Sequence, residues 1–237
     1  MRVAIIGAGR AGTSLSIALA RAGHRVSLVH HDELGRIGDV DLVLLAVPDD
    51  AIPTVAAQLP IDPARVVAHV AGSRTLDVLA RHPRVASIHP LITMPNEDVG
   101  AERLVGATFA VAGDPLVREV VTSLRGRALV LSDEQRAAYH ATATVAANHL
   151  VALLAHVQRL AEHAGLSLED FLPLSQMALE DVVERGPERA LTGPAARGDL
   201  ATIDAHLGAI PASERSTYVA LAQVAFDVAE RRARTLA

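Results

Sequence analysis

Short apolar runs alternate with helix-like stretches over the first part of the chain, up to about Leu131. Each run is rich in aliphatic residues and is bounded by glycine, proline or polar residues, as β-strands are. Strands that alternate regularly with helices are typical of a mostly parallel sheet covered by helices, an α/β fold. The runs predict strands over residues 3–6, 25–30, 41–46, 66–70, 85–88, 108–111 and 128–131.

The connections between these strands differ in length. Only about ten residues separate the second strand from Asp41, whereas a parallel crossover needs a dozen or more, so a minimal loop is expected there. Before the last strand, Asp114 and Pro115 are residue types favoured at the N-cap and first position of a helix. They predict a helix that ends near Leu124.

The pattern changes after the seventh strand. Ser132 followed by Gln135 is a capping-box pattern, and neither glycine nor proline occurs from there until Gly165, which predicts one long helix. The sequence therefore predicts an α/β domain over residues 1–131 and an all-helical domain over residues 132–237. Further helices are predicted over residues 168–184, 200–207 and 212–234.

A glycine-rich motif joins the first strand to the first helix. Gly7, Gly9 and Gly12 have the spacing G-x-G-x-x-G, directly after an apolar strand and before a helical stretch and a second strand. In this context the glycines permit a tight turn, close approach to a pyrophosphate and close packing of helix on strand. The motif predicts a Rossmann-type site for NAD or NADP, with Arg10 and Ala11 also against the cofactor.

The residues after the second strand bear on which dinucleotide binds. His30 and His31 follow the strand, and imidazole N–H groups can donate to a 2′-phosphate. Asp32 lies about twenty residues beyond Gly12, where an acidic residue serves the ribose hydroxyls of NAD. We favour NADP, and NAD stays open as the alternative.

The third strand ends in a proline turn. Val47 and Pro48 stand at its carboxyl end, where open α/β sheets bind ligands, so both are expected to pack along the cofactor. Asp49 or Asp50 is expected to cap the helix that follows.

Composition narrows the class of protein. The chain of 237 residues is 50% hydrophobic and 21% charged, values typical of a soluble globular protein. It has no cysteine, and its first apolar run is too short for a signal peptide or a membrane span, so a cytoplasmic location is expected. A net charge of −5 and few aromatic residues argue against nucleic acid as a partner. His69, His89 and His140 lack the spacing of a metal-binding motif, and no metal is expected.

Several motifs lie along nearly the whole chain: GAGRAG, LLAVPDDAI, Ile88-His89-Pro90-Leu91, Tyr139-His140, Asn148 and the stretch from Leu191 to Asp199. Together they resemble those of the 6-phosphogluconate-dehydrogenase-like superfamily. The similarity is closer still to Rossmann-like oxidoreductases with a helical second domain of formerly unknown function, some of which are ketopantoate reductases. Two departures from this pattern are Asp181, where relatives tend to have asparagine, and the order Ala71-Gly72-Ser73, which replaces serine-glycine.

The resemblance implies a nicotinamide-dependent reductase. The cofactor would lie on the first domain, with Gly72 and His89 beside it, and a small-molecule substrate would lie against the helical domain. Polar residues on the first long helix carry catalysis in this superfamily, and His140, Thr144 and Asn148 occupy matching positions here, on one helix face.

The chemistry of reduction suggests a role for each candidate. Hydride transfer to a carbonyl or imine needs a proton donor, which we assign to His140, and hydrogen bonds to the developing charge, which we assign to Asn148. Arg197 is suited to a substrate carboxylate, unless it only pairs with Asp199 to fix its loop. Asp181 is a possible acid or a determinant of substrate choice.

These assignments predict NADPH-dependent reduction of a small 2-oxo acid such as ketopantoate. The alternatives are an imine reductase, a dehydrogenase of the pyrroline-carboxylate or prephenate type, and a regulatory module that binds NADP(H) without turnover. The apolar helical half also predicts a homodimer.

Overall fold

The computed structural model describes residues 1–30 and 32–236, which fold as two compact units, Met1–Ala147 and Asn148–Ala237. The division lies beyond the predicted boundary between residues 131 and 132. The reason is that the first helix after that boundary belongs to the first unit, where the side chain of Arg136 is fully buried.

The first unit is built on a seven-stranded sheet of order β2-β1-β3-β4-β5-β6-β7. Neighbouring strands are parallel except for β5 and β6, which are antiparallel. The strands are β1 Arg2–Ile6, β2 Arg25–Val29, β3 Leu42–Leu45, β4 Val66–His69, β5 Val85–Pro90, β6 Thr108–Gly113 and β7 Arg127–Val130.

Both faces of this sheet are buried, which explains why its central strands are continuous apolar runs. Side chains alternate between the faces, so that Leu42 and Leu44 join one core cluster while Val43 and Leu45 join the other. The predicted Rossmann-type α/β fold is confirmed.

Helices cover the two faces of the sheet. The expected minimal connection between β2 and β3 is a single 3₁₀ turn, Leu34–Arg36. The helix α3 was not predicted; it is short, begins at the side-chain cap of Asn96 and contains Gly100, which packs against Ser14 of the first helix. The helices of the first unit are α1 Arg10–Arg21, α2 Ile52–Gln58, α3 Glu97–Leu104, α4 Leu116–Ser123 and α5 Asp133–Thr144.

The predicted capping box begins α5: the backbone N–H of Ser132 donates to Oε1 of Gln135 at 3.0 Å. The helical path then continues to His163, as the absence of glycine and proline predicted. A π-helical turn over Val145–His149 interrupts it, which the sequence pattern did not predict.

The second unit is helical in its described part. Asp199 is the N-cap of the helix that begins at Leu200, since its Oδ1 accepts from the backbone N–H of Thr202 at 3.1 Å. None of the helices in the described part of the chain combines the length and apolarity needed to cross a membrane. The helices are α6 Leu150–His163, α7 Leu172–Arg185, α8 Pro187–Ala190, α9 Gly193–Arg197, α10 Leu200–Ala209 and α11 Arg215–Leu236.

Polar contacts between side chains hold several of these helices together. Oε2 of Glu214 lies 2.7 Å from Nδ1 of His156, and its Oε1 accepts from Arg159 at 2.9 Å. On α10 and α11, Nδ1 of His206 lies 2.7 Å from the hydroxyl of Tyr218.

Candidate active site

The glycine loop lies at the carboxyl ends of β1 and β3, where the strand order reverses. Gly7 has a φ of +110°, and a Cβ there would lie 2.5 Å from the carbonyl oxygen of Ala46. A Cβ on Gly12 would overlap the carbonyl oxygen of Gly7. Both positions therefore require glycine to bring β1, α1 and β3 together.

Gly9 differs from these two glycines. A Cβ there would meet nothing within 4 Å, and its φ of −76° suits any residue. Its lack of a side chain leaves the N-terminus of α1 open, where unpaired backbone N–H groups favour an anion. The loop thus fits the pyrophosphate of a dinucleotide, as the motif predicts.

A groove of about 460 Å³ runs from this loop across the carboxyl edge of the sheet. It brings together six of the predicted cofactor contacts with residues from the ends of β4 and β5. Its lining is Gly9, Arg10, Ala11, Ala46, Val47, Pro48, Val70, His89, Pro90, Ile92 and Met94.

At the end of β2, Nδ1 of His30 lies 2.7 Å from Oδ1 of Asp32. Both side chains are more than half exposed, at 54% and 68%. The histidine predicted to receive a 2′-phosphate therefore contacts the carboxylate that would oppose one. His31, the second predicted contact, lies outside the described residues.

The turn after β3 corrects one prediction. Neither Asp49 nor Asp50 caps α2, because the N-cap position is Ala51 and has no side-chain hydrogen bond. Asp49 instead accepts from the hydroxyl of Ser73 at 2.6 Å, which ties this turn to the loop after β4.

Gly72, in that same loop, faces two of the predicted site histidines. A Cβ on Gly72 would lie 2.6 Å from Cδ2 of His140 and 2.9 Å from Nε2 of His89. The two imidazole rings are 6.2 Å apart between centroids. The fold therefore brings Gly72, His89 and His140 together, and glycine is needed because any side chain would displace the rings.

Tyr139 completes this cluster. Its hydroxyl lies 2.7 Å from Nδ1 of His89, and the two rings meet edge to face. Burial lowers the pKa of His89 to about 4, with further lowering from His140 and Arg136. His89 is therefore a neutral imidazole at neutral pH.

Beneath the cluster lie two fully buried side chains. His69, at the end of β4, is 0% exposed, and neither of its ring nitrogens has a hydrogen-bond partner within the described residues. Burial, aided by the positive charge of Arg136, lowers the pKa of His69 to about 4. Arg136 is also 0% exposed, and it hydrogen bonds to the hydroxyl of Ser87.

The other predicted catalytic residues are not part of this cluster. Thr144 donates to the carbonyl oxygen of His140 within its own helix, at 3.0 Å. Asn148 lies in the π turn and belongs to the second unit. The sequence predicted that His140, Thr144 and Asn148 share one helix face, which requires an unbroken α-helix. The π turn has more residues per turn than an α-helix, so it changes the periodicity before Asn148.

Asp181 and Arg197 also belong to the second unit, and each has an ion-pair partner there. Asp181 lies 3.5 Å from Arg185 on the same helix. Arg197 lies 3.8 Å from Asp199, the pairing that the sequence left open as an alternative.

Sequence reasoning missed Arg136 and gave Tyr139 no role. Both lie on α5, where Arg136 stands three residues before Tyr139 and four before His140, so it is a helix neighbour of each. That spacing was the available signal, but a charged residue in a helix is usually exposed. Within the described residues, no group of three or more histidine, aspartate or glutamate side chains is arranged to hold a metal ion.

Comparison with known families gives one match. Residues 107–225, about half of the chain, match the family described as a domain of unknown function, DUF2520. The chain belongs to this family. Among curated proteins, comparison of the sequence gives no match.

Solved structures share the fold of this DUF2520 protein. A candidate NADP oxidoreductase from Bacteroides fragilis is 22% identical, with 95% of this chain and 98% of that chain covered and a TM-score of 0.77. A protein from Thermotoga maritima is 22% identical over 97% and 98% of the two chains, with a TM-score of 0.78.

A more distant structure carries a named activity. It is a reductive aminase from Aspergillus terreus in complex with NADPH and ethyl levulinate, 16% identical over 94% and 93% of the chains, with a TM-score of 0.67. At these identities the likeness shows the fold alone: a Rossmann-type domain followed by a helical domain. The predicted kinship with ketopantoate reductases stays a prediction.

Proposed function

We propose that this protein is an NADPH-dependent reductase of a small carbonyl compound. One observation carries the proposal: the groove that begins at the glycine loop reaches His89, which lies beside His140. A dinucleotide site and a group able to give a proton are thus joined along one edge of the sheet. This combination is what reduction by a nicotinamide cofactor requires.

Gly7, Gly9 and Gly12 would hold the pyrophosphate of the cofactor, with Arg10 and Ala11 at the start of α1 beside it. NADPH supplies a hydride to the substrate. The choice of NADP is supported by the NADP and NADPH named for structures of the same fold, and by His30 at the end of β2. NAD is the alternative, with Asp32 as its ribose contact.

The cofactor choice can be tested at Asp32. An Asp32→Asn variant removes the negative charge that opposes a 2′-phosphate, so the ratio of NADPH to NADH affinity should rise severalfold. A His30→Ala variant should lower it, since the imidazole donor is lost. The ratio can be measured for both variants by quenching or enhancement of nicotinamide fluorescence. The same ratio in the wild type and in both variants would contradict these roles.

In the proposed reaction His140 gives the proton that reduction requires. From the sequence we further assign Asn148 to the substrate oxygen, Arg197 to a substrate carboxylate, and Thr144 and Asp181 to catalysis. A small 2-oxo acid, with ketopantoate as the specific candidate, meets these requirements. The second candidate is imine reduction, which the fold shared with a reductive aminase favours.

The functional test is a panel of substrates. Purified protein with NADPH is assayed at 340 nm against ketopantoate, other 2-oxo acids and cyclic imines, and cofactor binding is measured in parallel. Turnover of a carbonyl supports the proposal. Tight NADPH binding without turnover of any compound would favour a regulatory module, and a Gly9→Asp variant that still binds NADPH would overturn the cofactor site.

A further inference from the structure

A positive charge is buried under the candidate site. Arg136 is 0% exposed, and its described hydrogen-bond partners are neutral: the hydroxyl of Ser87, and the carbonyl oxygen of Ala71 at 3.5 Å. The carboxylate of Asp133 lies 3.9 Å from its Nε and is 41% exposed. Because arginine keeps its proton in proteins, the guanidinium remains a cation.

The electrostatic field of the Arg136 guanidinium acts on His69 and His89. Arg136 contributes to the lowered pKa of both His69 and His89, after burial itself. The two carboxylates that oppose it, Asp49 and Asp133, are partly exposed, and solvent screens exposed charges far more than buried ones. The electrostatic potential next to the buried guanidinium therefore favours a bound group with negative charge over one with positive charge.

The hydrogen bond to Tyr139 fixes which nitrogen of His89 carries the proton. Imidazole nitrogen is a better acceptor than phenol oxygen, and a phenol is the better donor. Tyr139 therefore donates to Nδ1, and the proton of the neutral ring is on Nε2. His89 itself lines the groove, and its Nε2 lies on the side of the ring next to Gly72.

We propose that the compound reduced at this site is a carbonyl and not an iminium ion, with the developing oxygen anion received by Nε2–H of His89 over the buried charge of Arg136. The inference rests on the proposed function. Reduction places a hydride from NADPH on carbon and moves the π electron pair of the C=O bond to oxygen. The oxygen anion then takes one proton from the imidazolium form of His140, which gives the alcohol and a neutral imidazole that regains its proton from solvent.

Reduction of a carbonyl and reduction of an imine differ in the charge of the substrate. An iminium ion is positive before hydride transfer and neutral after it, so a fixed cation nearby opposes its binding. A carbonyl gains negative charge in the transition state, which a fixed cation and a preoriented N–H stabilise. Arg136 acts here through the field at His89, and Tyr139 positions that ring.

The first test measures His89 itself, with no substrate or cofactor present. Nitrogen-15 NMR of the wild-type protein should show His89 neutral at pH 7 with its proton on Nε2. Arg136→Met should raise the pKa of His89 by about one unit, because a like charge is removed. Arg136→Lys should keep it low, and Arg127→Met, an exposed arginine on β7, should not change it.

The second test compares substrates. Wild-type protein with NADPH should reduce 2-oxo acids with kcat/KM at least tenfold above that for 1-pyrroline, and Arg136→Met should lower this ratio about tenfold. A preference for the imine would overturn the inference and favour imine reduction, the second candidate function. His89 protonated on Nδ1 in the neutral ring would overturn the inference and leave reduction of a carbonyl standing. Failure to bind NADPH would overturn the reductase assignment instead. If Arg136→Met does not fold, the two wild-type measurements decide.

Discussion

His89 and His140 lie side by side but differ in their surroundings. His89 is held by Tyr139 and has a pKa of about 4, so it does not carry an extra proton at neutral pH. It is suited to donating a hydrogen bond, and the transfer of a proton is left to His140. The neutral state of His89 follows from its burial, with further lowering of its pKa by His140 and by the buried guanidinium of Arg136.

We expect His140→Ala to lower kcat/KM by about 10²- to 10⁴-fold, the usual contribution of a general acid. The affinity for NADPH should stay within about twofold, since the glycine loop is unchanged. Steady-state kinetics and fluorescence titration check both values. His163→Ala, on the exposed end of α6, is the matched control. Wild-type kinetics for His140→Ala would remove this residue from the mechanism.

His69 predicts how stability depends on pH. Its pKa is about 4 in the folded protein, below the ordinary 6.5, so between these values the unfolded chain binds more protons. The free energy of unfolding should therefore be highest above pH 6.5 and fall as pH drops towards 4.

Urea unfolding midpoints at several pH values between 7.5 and 4 measure this slope. The variant His69→Leu should fold, since neither ring nitrogen has a hydrogen-bond partner within the described residues, and its slope should be shallower than that of the wild type. Parallel slopes for the two proteins would show that His69 does not titrate as described.

At the scale of elements, two glycines of the glycine loop differ in what they contact: Gly12 serves packing and Gly9 serves the ligand. Gly12→Ala places a methyl group on the carbonyl oxygen of Gly7, and overpacking of this kind costs about 1–3 kcal/mol. Gly9→Ala meets no atom within 4 Å and should keep the wild-type melting temperature. It should nevertheless weaken NADPH binding at least tenfold, because its methyl group occupies the face open to the pyrophosphate.

Thermal melts and NADPH titrations of both variants check this pair. A Gly9→Ala protein that melts early, or a Gly12→Ala protein as stable as the wild type, would mean that the loop packs differently.

Most elements were predictable because their signals are local. The central sheet strands are continuous apolar runs with burial on both faces, and the glycine loop requires its residues at fixed spacing. The π turn at Val145–His149 and the role of Asp49 were not predictable in the same way. A π turn has no residue signature comparable to proline or glycine, and Asp49 binds Ser73, which is distant in sequence.

At the scale of the whole molecule, the sequence predicts the glycine loop more directly than it predicts the cluster around His89. The glycine positions follow from the backbone geometry of the turn, which residues close in sequence determine. The cluster of His89, Tyr139 and Arg136 depends on packing α5 against strands about fifty residues earlier in the chain, so it emerges only from tertiary structure.

Exposed apolar side chains on the second unit underlie our prediction of a homodimer. Val183 is 80% exposed and Leu179 is 56% exposed, one turn apart on α7. A patch of this kind on a helix is usually covered by a partner. Light scattering should show a dimer for the wild-type protein and a monomer for the Val183→Asp variant. Ile61→Asp, at an apolar residue of the first unit that is 56% exposed, should remain dimeric. A monomeric wild-type protein would exclude this assembly.

The bond between Tyr139 and His89 also has an optical consequence. The chain has two tyrosines and no tryptophan, and each tyrosine meets Nδ1 of a histidine at 2.7 Å, one in each unit. Tyrosine emission near 303 nm is sensitive to hydrogen bonding of the hydroxyl, so each unit carries a single intrinsic fluorophore that reports on one imidazole. With Tyr218→Phe, the remaining emission follows the candidate site alone, without an added label.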